Sequence, residues 1–451
     1  MERGGRGGLW IALYVALGLL PLTVAGIARA DAPPHGFVAE LAVALGFIGF
    51  ALLLLEAVTI ARLRRLSGLF ATDALHHFHR AMGCVALGFV VAHALLAGWP
   101  IASLALVNPF SGPPALQSGA VAWWATLLLV ATSLLRRRLR LPYRAWHHLH
   151  TLLSLLLAIA LPTHLFTARG EPPPRALATV VVAFPLGFAA LLLHLRVGRP
   201  LAMARQPWTL VENRDEGGDT RTLVLRPDGH AGFPFAPGQF AWLATGRHPL
   251  TSEQHPITIA SSAERPRDGT IELAIKELGD WSRDVVPQLR PGARLFVDGP
   301  YGALSIDRAA AQAFVLIGGG IGVSPMRSTL LTMRDRGDRR PVVLIHAARN
   351  RQRMVFAEQF AALQGALDLR IVRVFEEPEA QRPGSGPPQG APRTERGYVT
   401  AELLRRHLPA DLRHHAFLIC GPGPMQAAVT QALAELGIAS EQIHSERFDL
   451  P

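Results

Sequence analysis

Four histidines, His79, His93, His150 and His164, fall into two pairs, each 14 residues apart inside a strongly apolar run. At about 100° per residue, a 14-residue step ends roughly 40° short of four full turns, so both members of a pair face one side of a helix. The rise of about 1.5 Å per residue separates them by roughly 21 Å along the axis. Two such helices set face to face put His79 opposite His150 and His93 opposite His164, at two depths of a bilayer. Opposed neutral imidazoles suit axial ligation of a porphyrin iron, one haem at each level. A single histidine in a membrane helix could be an ordinary partnered polar group, but ionisable side chains are costly to bury there and mark function by default. Matched spacing on two helices favours ligation. His76, His77, His147 and His148 lie 16 or 17 residues from the second histidine of their helix, which turns them about 100° to 160° off its face. Pro162 removes a backbone donor two residues before His164 and is expected to kink that helix.

The elements that must hold these residues are legible in the hydropathy pattern. Residues 9–28, 37–61, 81–101, 119–135, 149–168 and 176–195 read as membrane-spanning segments. Beyond residue 200 no such run recurs and the composition is that of a soluble α/β protein. Arg62, Arg64 and Arg65 follow the second segment, Arg136, Arg137, Arg138, Arg140 and Arg144 the fourth, and Arg196, Arg199 and Arg205 the sixth, whereas the loop 99–118 carries no charge. Cytoplasmic loops collect Lys and Arg, so the even-numbered connections and the soluble half are expected inside. The net charge of +11 is then largely a topology signal, and with no groove-reading module nucleic-acid binding is not expected. Arg3, Arg6 and Ala28-Arg29-Ala30 imitate a secretory signal, but the first apolar run of about 20 residues exceeds a signal core and is expected to stay as a helix. Cys84 and Cys420, the two cysteines, provide no disulfide framework.

In residues 222–298 short β-like runs are broken by Gly and Pro, the pattern of an antiparallel β-barrel. After residue 312 strand and helix alternate, the pattern of a doubly wound α/β sheet. The fold class is therefore an α-helical transmembrane bundle (1–200) followed by a β-barrel domain (201–306) and an α/β nucleotide-binding domain (307–451). The glycines Gly318, Gly319, Gly320 and Gly322 let backbone amides approach a pyrophosphate at a helix N-terminus. Cys420-Gly-Pro-Gly-Pro-Met425 forms a second turn at the end of another strand, where open α/β sheets bind ligands. A Pro, Gly and Gln-rich stretch at 378–393 reads as a surface loop.

His255-Pro-Ile-Thr-Ile-Ala-Ser-Ser262, Ile275-Lys-Glu-Leu-Gly-Asp-Trp-Ser282, Gly299-Pro-Tyr-Gly302, Gly318-Gly-Gly-Ile-Gly-Val-Ser-Pro325 and Cys420-Gly-Pro422 stand in this order along the chain. In this the sequence resembles the ferric reductase and NADPH oxidase superfamily, from its second membrane segment to Phe448. The resemblance implies a six-helix domain with two bis-histidine b-type haems and a ferredoxin-reductase-like half that binds FAD and NADPH or NADH. It implies that His255, Pro256, Ile257 and Thr258 hold the flavin, with Thr258 near the isoalloxazine edge, that Gly279 and Ser282 contact its pyrophosphate, and that Ile275 and Lys276 of the same motif belong to the cofactor-binding set. Gly318, Gly319, Gly320, Ile321, Gly322, Ser324 and Pro325, with Cys420, Gly421 and Pro422, would take the nicotinamide cofactor, Cys420 lying near the nicotinamide. Ile257 stands where the family carries Phe, and Ser282 where it carries Thr. Phe448, near the C-terminus, is the expected aromatic cover of the flavin face, with core packing as the alternative. Arg349, Arg351 and Arg353 follow the second sheet strand, where guanidinium groups would read a ribose 2′-phosphate and favour NADPH.

Together these features imply an oxidoreductase in a bacterial inner membrane that moves electrons from cytoplasmic NAD(P)H through FAD and two haems to an acceptor on the outer face. An iron with two axial histidines has no open site, so the last step would be outer-sphere. Dioxygen, ferric chelates, a quinone and a periplasmic redox protein all remain open as acceptors. The other classes are a membrane redox subunit feeding a dedicated partner, and a flavin reductase anchored by haem-free helices. Arg80 is a candidate counter-ion for haem propionates, or a plain interfacial anchor.

Overall fold

The computed structural model describes residues 2–30, 33, 36–98, 108–168, 172–264, 269–377 and 393–447. The chain divides into two compact units, residues 1–69 with 74–196, and residues 70–73 with 197–451.

The first unit is built from helices α1 (Glu2–Ile27), α2 (Phe37–Ile60), α3 (Arg64–Ser67), α4 (Thr72–Ala97), α5 (Pro114–Leu134), α6 (Tyr143–Thr167) and α7 (Arg175–Leu193). Near-continuous Leu, Ala, Val and Phe satisfy the backbone internally and leave an apolar surface, as a bilayer requires. Pro113, Pro142 and Pro174 stand just before α5, α6 and α7, where a missing N–H harms no ladder. Phe47, Phe50 and Leu54 of α2 pack with Ala122 and Ala125 of α5, Leu153, Leu157 and Ala160 of α6, and Leu177, Val181 and Phe188 of α7. Alanines at these positions let neighbouring backbones approach closely. Leu152, Ile159 and Leu186 face outward and are exposed, which suits contact with lipid.

Several spans begin earlier than the apolar runs that announce them. The third starts at Thr72 and the fifth at Tyr143, so His76, His77, His147 and His148 sit on the opening turns of the ligand helices. Hydropathy registers only the part of a helix that lipid surrounds, whereas backbone hydrogen bonds extend it through polar residues. α6 runs through Pro162 without interruption.

The second unit opens with α8 (Arg199–Arg205), followed by β1 (Pro207–Gly217), β2 (Thr220–Pro227), β3 (Phe240–Ala244), β4 (His255–Thr258), β5 (Ile271–Lys276) and β6 (Arg294–Tyr301). These strands form an antiparallel sheet in the order β4-β3-β6-β1-β2-β5. Its two ends meet where Ile259 bridges Leu273 and the Ala260 N–H donates to Glu272 O at 2.7 Å, which closes the barrel around Trp208, Leu210, Leu223, Leu225, Leu243 and Leu273.

The rest of the unit comprises β7 (Ala313–Gly319), α9 (Ser324–Arg336), β8 (Val342–Ala348), α10 (Ala357–Leu363), β9 (Leu369–Phe375), β10 (Arg393–Arg396), α11 (Ala401–His407), β11 (His415–Cys420), α12 (Gly423–Glu435) and β12 (Ile443–Ser445). The parallel order β10-β9-β8-β7-β11-β12 reverses direction between β7 and β11. Alternate strand residues serve the two faces: Phe314, Leu316, Leu344 and Leu418 pack with α9 and α10, and Val315, Ile317, Ile345 and Ile419 with α11 and α12. This is a doubly wound sheet with helices on both sides.

Candidate functional site

In the membrane unit the four histidines meet as their spacing implies. The ring centroids of His79 and His150 are 6.2 Å apart, and those of His93 and His164 are 6.0 Å apart. Each ring is held by its Nδ1. His93 donates to Ala42 O at 2.7 Å, and His164 to Ala115 O at 2.8 Å. His79 Nδ1 lies 3.4 Å from Thr59 Oγ1, whose own proton goes to Glu56 O; His150 Nδ1 lies 3.3 Å from Ser133 Oγ, whose proton goes to Leu129 O. Both hydroxyls can therefore only accept from the ring, so Nδ1 carries the hydrogen and the lone pair of Nε2 is left for a metal.

Two glycines make room for the rings of His93 and His164. A Cβ on Gly46 would lie 2.8 Å from His93 Nδ1, and one on Gly119 would lie 2.9 Å from His164 Nδ1. Each glycine stands four residues after the carbonyl that its histidine uses, so α2 and α5 present the same device to α4 and α6. Among the described residues no group of three or more His, Cys, Asp or Glu could hold a metal ion. Among these residues each histidine pair brings together two imidazoles and no third side chain of that kind.

In the second unit β4 is paired to β3, with Leu243 opposite His255 and Phe240 opposite Thr258. The His255 ring stacks on Trp281 at 3.8 Å and 15°, and Trp281 Nε1 donates to Thr245 Oγ1 at 2.9 Å. His255 Nε2 is buried without a partner, and burial lowers the pKa of the ring below its ordinary value, keeping it neutral. Thr258 is buried, while Pro256 and Ile257 are half-buried. Ser282 Oγ accepts from the Leu278 and Gly279 N–H groups at 2.9 and 3.0 Å and donates to Gly279 O. It shapes the turn after Ile275 and Lys276 and is already occupied by it.

The glycine turn and the Cys420 turn lie side by side. Cys420 pairs with Gly318 across β11 and β7, at the ends of the strands where the sheet order reverses and such folds bind ligands. A Cβ on Gly322 would lie 2.3 Å from Cys420 O, and one on Gly319 would lie 2.2 Å from Met425 Sδ; here the two backbones leave no room for a side chain. Gly320 has a left-handed φ of 55°, and the nearest atom to a Cβ there is Lys276 Nζ at 3.7 Å. The flavin-motif lysine and the glycine turn thus converge, at the start of the helix that carries Pro325. Ser324 Oγ is buried and without a partner. Cys420 is buried, as is Gly322, while Ile321, Gly421 and Pro422 are partly exposed.

The barrel and sheet are locked by α9. Arg327 donates to Ala260 O at 2.9 Å and meets Glu272 at 2.6 Å, Ser328 donates to Ser261 O at 2.7 Å, and the Ala263 N–H donates to Thr332 Oγ1 at 2.8 Å. These bonds fix the strand that leaves Thr258 against the helix that leaves Gly322.

Arg349 follows β8 directly, with its Nε 2.5 Å from Glu377 Oε1; Asn350 donates to the other oxygen at 2.8 Å. The 2′-phosphate reading did not include Glu377. Also missing from the sequence reading were Glu56, Gly46, Gly119 and the buried Glu446, whose carboxylate abuts Gly302. Glu56 had a signal, as a carboxylate deep in an apolar run; the glycines had none that distinguished them from other helical glycines. Phe448, the loop 99–107 and residues 378–392 lie outside the described residues.

Three family models match in order along the chain: the ferric reductase like transmembrane component over residues 45–161, a FAD-binding domain over 218–305 and the oxidoreductase NAD-binding domain over 316–431. The chain belongs to the ferric reductase and NADPH oxidase superfamily. This superfamily member is an oxidoreductase with six helices long and apolar enough to cross a membrane. It is 30% identical over 257 residues to the reductase component of propane 2-monooxygenase of Rhodococcus jostii (strain RHA1), covering 56% of this chain and 66% of that one. It is 27% identical over 245 residues to a flavohemoprotein of Bordetella pertussis (strain Tohama I / ATCC BAA-589 / NCTC 13251), covering 53% and 59%. The chain thus spans about two thirds or less of the length of these relatives. The solved flavohem-like FAD/NAD binding domain of nitric oxide dioxygenase from Vibrio cholerae O1 biovar El Tor matches at 20% identity and a TM-score of 0.46, over 54% of this chain and 98% of that one.

Proposed function

We propose that this protein carries electrons from cytoplasmic NAD(P)H, through FAD and two haems, across a bacterial inner membrane to an acceptor on the outer face. The observation that carries this reading is the separation of the opposed histidines. The ring centroids, 6.2 and 6.0 Å apart, leave a gap that would admit one metal ion with a bond of about 2.0 Å to each imidazole. When bound, the flavin accepts two electrons as hydride and the haems relay single electrons.

The protein's own residues supply position and exclusion. His79 with His150, and His93 with His164, would hold the two haems, which would supply one-electron transfer to the acceptor. His255 and Thr258 border the flavin, and Lys276 provides a cation for phosphate beside the open backbone of Gly320. The Gly318–Gly322 turn and the Cys420–Pro422 turn flank the place for the nicotinamide nucleotide. The arginines after the second, fourth and sixth spans support placing the soluble unit inside.

A second reading has support in the Rhodococcus jostii relative, a reductase component: the outer acceptor is a dedicated redox protein rather than dioxygen or ferric iron. Purified full-length protein tests the main reading. It is expected to contain one FAD and two six-coordinate low-spin haems reducible by NADPH. Well-folded protein with one haem or none overturns it. Screening acceptors with the same preparation separates direct reduction of dioxygen or ferric chelates from dependence on a protein partner.

A further inference from the structure

The two ligand helices are held alike except at one position. At the outer level both rings rest on backbone carbonyls, Ala42 O and Ala115 O. At the inner level both rings have a hydroxyl, Thr59 or Ser133. Among the described residues only His79 also meets a carboxylate: Glu56 Oε2 lies 2.8 Å from its Nδ1, close enough for a strong electrostatic contact although the N–H is not aligned on it. Three residues before Ser133, where the second half could carry an equivalent acid, stands Val130.

Glu56 is buried, with a side-chain exposure of 7%, in a helix that reads as a membrane span. Removing an ionised carboxylate from water costs several kcal/mol unless it is paired, and a carboxylate in a span calls for a functional reason. Its other oxygen accepts from the Tyr14 hydroxyl of α1 at 2.7 Å. With Nε2 on a metal, His79 would keep its hydrogen on Nδ1, beside Glu56 Oε2, while Oε1 accepts from the Tyr14 hydroxyl. In this low-dielectric setting its charge acts on the ring with little screening.

We propose that Glu56, held by Tyr14, is a positioning residue that lowers the reduction potential of the inner haem site below that of the outer site and so drives electrons outward. The inference rests on the two-haem reading above. A carboxylate at Nδ1 raises the basicity of the imidazole, and both this and its negative charge stabilise ferric over ferrous iron. The step favoured is a one-electron exchange: iron held by His79 and His150 is oxidised as iron held by His93 and His164 is reduced, with no proton or atom moved. A neutral carbonyl at each outer ring exerts no matching pull.

The test is a spectroelectrochemical titration of full-length protein. In a His164→Ala background, which leaves the inner haem, Glu56→Gln is expected to raise the midpoint potential so that the ferrous to ferric ratio at fixed potential grows at least tenfold, about 59 mV for one electron. In a His150→Ala background, which leaves the outer haem, the same substitution is expected to change nothing. Glu56→Asp keeps the charge and is expected to retain the wild-type order of the two potentials. The proposal is overturned if Glu56→Gln leaves the inner potential unchanged or shifts both sites equally, or if the Glu56→Asp sites titrate together. Wild-type protein without two haems defeats the earlier reading instead, and the haem spectrum recorded before titration separates the two failures.

Discussion

His93 and Gly46 are fitted to each other: a methyl group on Gly46 would lie 2.8 Å from the imidazole Nδ1, the nitrogen that donates to Ala42 O. His164 and Gly119 repeat the relationship on the other helix pair. Gly46→Ala or Gly119→Ala is therefore expected to push the ring off its carbonyl and reduce outer haem occupancy several-fold, while the inner haem persists. Haem-to-protein ratios resolved by potential check this; full occupancy of both sites in both variants would show that the helices simply spread.

The histidines should act as pairs by level. His79→Ala or His150→Ala should remove the inner haem, and His93→Ala or His164→Ala the outer. His148→Ala should leave both, because its side chain has turned away from the ligand face. Haem spectra of the five variants decide the matter, and loss of one and the same haem from all four ligand variants would contradict two separate levels.

Cofactor choice is expected to depend on the contact between Arg349 and Glu377. Hydrogen bonds from Asn350 and Arg349 hold the Glu377 carboxyl below its usual range, so it is an anion beside the guanidinium that would read a 2′-phosphate. Glu377→Gln should free that guanidinium and lower KM for NADPH several-fold relative to NADH. Arg349→Ala should raise KM for NADPH alone. Equal changes with both nucleotides would make the pair a surface ion pair of little consequence.

Glu446 gives the soluble unit a pH dependence. Burial raises its pKa from 4.5 to about 7, so between these values the folded state binds a proton that the unfolded state has lost. Its stabilising share is thus fully present below pH 4.5 and is lost as pH rises through 7. Glu446→Gln should remove this slope and stabilise the protein above pH 7 by on the order of 3 kcal/mol. Release of FAD on heating, followed from pH 5 to 8, measures it; a wild-type slope in the variant would exclude Glu446 as the source.

The pairing of the four histidines, the six apolar spans, the closed barrel and the doubly wound sheet were legible in the chain because each rests on local periodicity. A 14-residue step returns to the same helix face whatever surrounds it, and a glycine turn after a strand reads the same in any sheet. The partners were not legible, because they are set by which elements pack together. His93 and Ala42 are separated by 51 residues, Arg349 and Glu377 by 28, and no spacing rule spans such distances. Pro162 was expected to disturb the face of His164, yet the helix runs through it. The sequence alone determined that His79 and His93, and His150 and His164, share a helix face, since backbone geometry is local. Tertiary packing alone decided that Glu56 faces His79 while, among the described residues, no acid pairs with the other three rings, because charge acts through space and not along the chain.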